Sequence, residues 1–183
     1  MTTTPEAPVV PLADAWITPV LDAALATFVA QLARTKGGAP SVAFLTAGVT
    51  VPSDFCGGKT RGGGCSSQAW VRLVRAYPSR GFPAQDVEPV GGCPSRWALE
   101  LELGILRCVP TMRETRGGVV SPEPADLVNA AVRAADDVVA MMAAVQCGEP
   151  FDPRTTLVGV YEPLDGGDCG GGTLNVTVAA RRR

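Results

Sequence analysis

The sequence predicts an α+β domain: one mixed, mostly antiparallel sheet with two helices packed on it, in the order α-β-β-β-α-β-β. Three observations carry this. An apolar stripe recurs every three to four residues over Asp14–Thr35. Strict two-residue alternation runs over Arg96–Cys108. A second helical stripe then precedes two β-branched runs near the C-terminus.

In the first helix, Ile17, Leu21, Leu25, Phe28 and Leu32 form the stripe, and Trp16, Val20, Ala24 and Val29 widen it. Pro19 fits only in its first turns, and Gly37-Gly38 is the expected stop. Arg34 and Lys36 suit the negative end of the helix. Ser41–Val51 is apolar and β-branched, which predicts a strand closed by Pro52. Ala69–Tyr77 fits either a strand or a short helix, and Pro78 ends it. In Arg96–Cys108, Trp97, Leu99, Leu101, Leu103 and Ile105 alternate with Ala98, Glu100, Glu102 and Gly104, which predicts one dry and one wet face. Thr111–Val120 reads as a polar linker. Ser121 is a suitable N-cap for the second helix, with Pro122 in its first turn and Glu123 and Asp126 near its positive end. Leu127, Val128, Ala131, Ala135, Val138, Met142 and Val145 make its apolar face, Arg133, Asp136 and Asp137 mark the wet side, and Gly148 ends it. Thr155–Tyr161 and Thr173–Ala180 read as a terminal hairpin joined by a long glycine-rich loop over 163–172.

The 183 residues are expected to form one domain, with an N-terminal arm at 1–12 and a basic tail at 181–183. Hydrophobic residues at 46% and charged residues at 19% exclude a disordered chain. A net charge of −2 gives no footprint for a nucleic-acid binder. The chain has no His, which excludes His-based triads and H-E-x-x-H zinc enzymes. No run of about 20 apolar residues is present for a membrane-spanning helix. Met1–Pro11 has neither the basic start nor the apolar core of a signal peptide, so no secretion by that route is expected.

Six cysteines occur, at 56, 65, 93, 108, 147 and 169, with no C-x-x-C pair. That spacing does not favour a structural zinc site. Synthesis in a reducing compartment argues for thiols, and the even count leaves disulfides open. Gly57-Gly58-Lys59-Thr60 resembles the end of a phosphate-binding loop, but Ser53 stands where the pattern needs Gly, and Arg61-Gly62-Gly63-Gly64 is poor helix. Glu100 and Glu102 share a strand face and read as a solvated or inter-subunit surface rather than an acid–base pair. Arg72 and Arg75 lie near Trp70 and Tyr77, a basic–aromatic mix that more often belongs to a core edge than to a nucleic-acid surface. No catalytic residue, metal or cofactor is expected. The long glycine-rich connections over 53–67 and 163–172 are unusual in so short a chain and suggest segments ordered by a neighbouring copy.

Three stretches, CSSQAWVRLVRAYPSRGFP at 65–83, WALELELGILRCVP at 97–110 and YEPLDGGDCGGGTLNVTVA at 161–179, together resemble the head-to-tail connector proteins of long-tailed actinobacterial phages. The resemblance is greatest to the tail terminator, or tail-completion, type. It implies a homo-oligomeric ring, usually a hexamer, at the head–tail junction of the virion, assembled in the host cytoplasm. Such a ring caps the tail-tube protein, meets the head connector (stopper) protein, and lets DNA pass without gripping it. Contacts between copies in a ring are heterologous. They are expected at Gly170, Gly171, Gly172, Arg72, Glu100 and Glu102. An adaptor or stopper ring is the nearest alternative, and a small cysteine-dependent enzyme or redox protein a more distant one.

Overall fold

The computed structural model describes residues 16–48, 56, 66–87, 94–115 and 118–181. The N-terminal arm, the Gly57–Thr60 segment, most of the 53–67 connection, Cys65, Cys93 and the last two arginines lie outside the described residues. The elements are α1 (Thr18–Leu32), β1 (Val42–Thr46), β2 (Gln68–Pro78), β3 (Arg96–Cys108), β4 (Arg113–Thr115), β5 (Gly118–Val120), α2 (Pro124–Cys147), β6 (Thr156–Gly166) and β7 (Cys169–Arg181). The seven principal elements follow the expected α+β order. The expected polar linker contains the small β4–β5 hairpin, which forms a sheet of its own.

The main sheet has the order β1-β2-β3-β7-β6. Only β1 and β2 run parallel; every other neighbouring pair is antiparallel. The long alternating strand β3 is central, which explains why its two faces are both covered. Leu99, Leu101, Leu103 and Ile105 face the helices and are fully buried. Leu174, Val176 and Val178 of β7, in register with Leu103, Leu101 and Leu99, extend the same face. Ala24, Phe28 and Leu32, one helical turn apart, bring α1 onto this face. Ala140, Met141, Ala144 and Val145 do the same for α2. Trp16 stacks on Trp97 with ring centres 5.4 Å apart, closing one end. Each fully buried Leu, Ile, Val, Phe or Met among these stabilises the fold by about 1.5–3 kcal/mol through its burial.

Several expectations are corrected. The helix α1 stops at Leu32, before Gly37-Gly38, and a turn follows that ends in Gly38 at φ +68°. The helix α2 starts with Pro124 at its N-terminal turn and Glu123 as N-cap, later than the Ser121 cap implied. Its buried residues all lie in its second half; Leu127 and Val128 are exposed because the sheet and α1 meet only that half. The 163–172 stretch is not a long loop. Both strands continue to a two-residue turn at Gly167-Asp168, where Gly167 supplies φ +63°. Arg181 is the last residue of β7, opposite Arg96, not part of a tail. The expected wet face of β3 is buried from Glu102 to Leu106.

Asp137 is also not on the wet side: it is 4% exposed and bound to Arg107, itself 8% exposed. Arg107 Nε donates to Asp137 Oδ2 at 2.6 Å and Nη2 to Oδ1 at 2.9 Å. Two further donors, on Nη1 and Nη2, reach Gly37 O and Gly38 O, both at 2.8 Å. The pair thus joins β3, α2 and the turn after α1. Removing one partner leaves the other charge buried and uncompensated, which costs about 3–5 kcal/mol. Asp137→Ala is expected to lower the unfolding free energy by about that amount. Urea denaturation checks it, and a midpoint equal to that of the unmodified chain would contradict the role.

Candidate functional site

The sheet face away from the helices carries the chemically distinctive side chains. A bulge between Leu73 and Arg75 builds it. Before the bulge, even-numbered residues of β2 face this side; after it, odd-numbered ones do, because one extra residue shifts the alternation. Trp70, Arg72, Arg75 and Tyr77 therefore share one face, which neither a regular strand nor a helix would achieve. This resolves the ambiguous period of Ala69–Tyr77.

Arg72 lies opposite Glu102, and Arg75 opposite Glu100. Arg72 Nη2 donates to Glu102 Oε2 at 2.6 Å, and the Trp70 indole N–H donates to Glu102 Oε1 at 3.0 Å. Arg72 Nη1 reaches Gly48 O at 3.0 Å, beyond β1. Arg75 forks onto Glu100 and its guanidinium lies 5.1 Å from the Tyr77 ring centre. The Arg75 side chain is 60% exposed, so solvent screens that pair. Gly104 sits under Trp70; a Cβ there would overlap the indole. The structure thus gives Arg72, Glu100 and Glu102 partners within the chain, and the two carboxylates are held by separate arginines rather than aimed together into a cleft.

At the other end of this face lie three cysteines. Cys108 ends β3 and Cys169 begins β7, directly opposite each other. Cys56 arrives from the segment before β2. The three sulfurs all lie within 4.8 Å of one another. Cys56 and Cys169 form a disulfide with Cα atoms 6.3 Å apart, and Cys108 is also disulfide-bonded. Ser66 O is 3.3 Å from Cys108 Sγ. Trp70, Leu106 and Phe44 pack around the cluster and keep it apolar. Cys147, at the end of α2, is a free and exposed thiol. Sequence spacing did not reveal the cluster, because strand register and not chain proximity brings Cys108 to Cys169.

Gly170, Gly171 and Gly172 lie inside β7, opposite Arg107, Leu106 and Ile105 on one side and Asp165, Leu164 and Pro163 on the other. Both ladder edges are taken within the chain, so no strand of a second copy pairs there. Their lack of side chains has a local reason: a Cβ at Gly171 would strike the Ile105 carbonyl, and one at Gly172 the Tyr161 ring. Tyr161 lies across this strip and donates to Gly171 O at 2.9 Å.

No protein-family model matches the chain, and no curated protein matches it.

Two measurements test this geometry. The disulfide joins positions 113 residues apart, and constraining so long a loop in the unfolded chain stabilises by about 2–5 kcal/mol. A Cys56→Ser/Cys169→Ser chain, kept with a chelator, should lose stability on that scale in urea; an unchanged midpoint would count against the link. Tyr77 and Tyr161 are the only tyrosines. Burial raises both phenol pKa values above the ordinary 10.0, with Glu100 adding to the shift at Tyr77 and Asp137 at Tyr161. A raised folded value means that the contribution to stability is full below about pH 10 and is lost as pH rises through the folded values. Ultraviolet titration of the folded chain should therefore give tyrosinate at higher pH than in denaturant, and coincident curves would refute it.

Proposed function

We infer that this chain is a structural subunit of a ring at the head–tail junction of a long-tailed phage, of the tail-terminator type. In this reading identical copies close around an axis, cap the tail-tube protein, and present the opposite side to the head connector. DNA passes through the hole without specific contacts, and the site of action is the virion, with assembly in the host cytoplasm. The mixed sheet with two helices on one face is compatible with the subunit that the sequence resemblance implies.

The observation that carries the reading is the outer strand β6. It is 11 residues long and exposes Leu157, Val158, Val160 and Leu164 at the margin of the sheet. A long apolar edge strand is an invitation to pair with another chain. The opposite margin is β1. Following the pairings across the sheet, β1 and β6 run in opposite directions. When copies add head to tail, β6 of one copy therefore meets β1 of the next antiparallel, the more favourable ladder. Such a contact is heterologous and closes into a ring if the rotation between copies permits it. The exposed Leu127, Val128 and Val139 of α2 offer a second apolar surface for the tube or the connector.

Light scattering and electron micrographs of the purified chain test this. The expected particle is a ring whose mass is a multiple of 18.9 kDa. Val160 is 75% exposed, so Val160→Lys should leave the fold intact, within about 0.5 kcal/mol, while reducing the particle to monomers. A monomeric parent chain, or a Val160→Lys chain that still forms the same ring, would overturn the assignment.

A further inference from the structure

We propose that Cys56, Cys108 and Cys169, once reduced, form a thiolate site for a zinc-class divalent cation. Cys56 and Cys169 share one disulfide and Cys108 belongs to another, yet the three sulfurs all lie within 4.8 Å of one another. Thiolates around zinc, at about 2.3 Å from the metal in a tetrahedron, stand roughly 3.8 Å apart. Opening the sulfur bonds therefore leaves the three atoms within reach of that arrangement with little movement of the backbone.

The support of the ligands points the same way. Cys108 and Cys169 are held in register at neighbouring positions of two central strands, which fixes two ligands on rigid elements. The Val109 N–H donates to Asp168 O at 2.9 Å, pinning the ladder just beyond them. Cys56 and Cys169 are buried, at 9% and 3% exposure, against Trp70 and Leu106. A dry, apolar shell strengthens metal–thiolate attraction and slows exchange with water. Soft sulfur donors select zinc over magnesium or calcium. Three thiolates and one Zn²⁺ carry a net single negative charge, and the fourth position is left for water or for the partner thiol that reduction releases from Cys108.

Two equivalents of a low-molecular-weight thiol deliver two electrons to each protein disulfide, giving two protein thiols and one small-molecule disulfide. The three cysteine thiols then release their protons as they bind the metal, so affinity rises with pH. Oxidised and metal-bound forms are alternative occupants of the same cluster. A chain made in a reducing compartment would carry the metal, and one exposed to air the disulfides.

The test uses the full chain, reduced anaerobically with a monothiol and dialysed against Zn²⁺ or, as a spectroscopic probe, Co²⁺. The expected result is one metal per chain, with thiolate-to-cobalt charge-transfer absorption. Cys108→Ser should weaken binding by 100-fold or more, and Cys147→Ser, outside the cluster, should not. Far-UV circular dichroism is followed throughout. If the reduced chain unfolds and zinc restores its spectrum, the site is supported; if it unfolds and zinc does not restore it, the proposal fails. It also fails if the folded, reduced chain takes up no metal, if the oxidised chain binds it equally, or if Cys108→Ser binds like the parent.

Discussion

The buried pair between Arg107 and Asp137 is the constraint on which the arrangement of layers rests. Two charges are withdrawn from water at 8% and 4% exposure, a loss that only complete hydrogen bonding offsets. Here the guanidinium fork is matched by a carboxylate on α2 and by two carbonyls after α1. The pair therefore sets where both helices sit on the sheet, while the apolar contacts around Phe28, Met141 and Leu101 supply most of the driving force.

With both helices held to one side, the other face of the sheet must be covered by its own side chains. The chain does this with a ladder of arginines and glutamates at one end and an apolar sulfur cluster at the other. Trp70 joins the two. Its ring fills the space over Gly104, and its N–H orients Glu102 toward Arg72. The single bulge after Leu73 is what brings all four of the large β2 side chains to this face.

Much of the fold was legible in the residues. The alternation of β3 and the fourfold spacing in α1 reflect burial on one side, and local pattern records burial well. What escaped was whatever depends on strands far apart in sequence. Asp137 looked solvated on a helix wheel, yet Arg107 continues the odd-numbered apolar stripe of β3. A charge on a dry face demands an acidic partner, so a signal for the pair was present. The glycines at 170–172 suggested a loop because composition does not distinguish a mobile segment from a strand pressed against a tyrosine ring. The cysteine cluster had no local signature at all, since its members meet only through sheet register. In the candidate site, Glu100 and Glu102 were expected on one strand face and Arg72 near Trp70, but the pairing of Arg72 with Glu102 depends on strand register and that of Arg75 with Glu100 on the bulge.

The unequal lengths of the two sheet margins have a mechanical consequence. β1 has only five residues, against 11 in β6, so any seam seated on β1 is short, and Pro163 removes a donor from the β6 side. A short seam holds a single incoming copy weakly and lets a misplaced one leave. The last copy to enter a closed circle makes two seams while surrendering its freedom of motion once. In the ring proposed above, weak joints of this kind would favour finished circles over open chains, and fidelity of copy number would then come from reversibility rather than from the strength of any one joint.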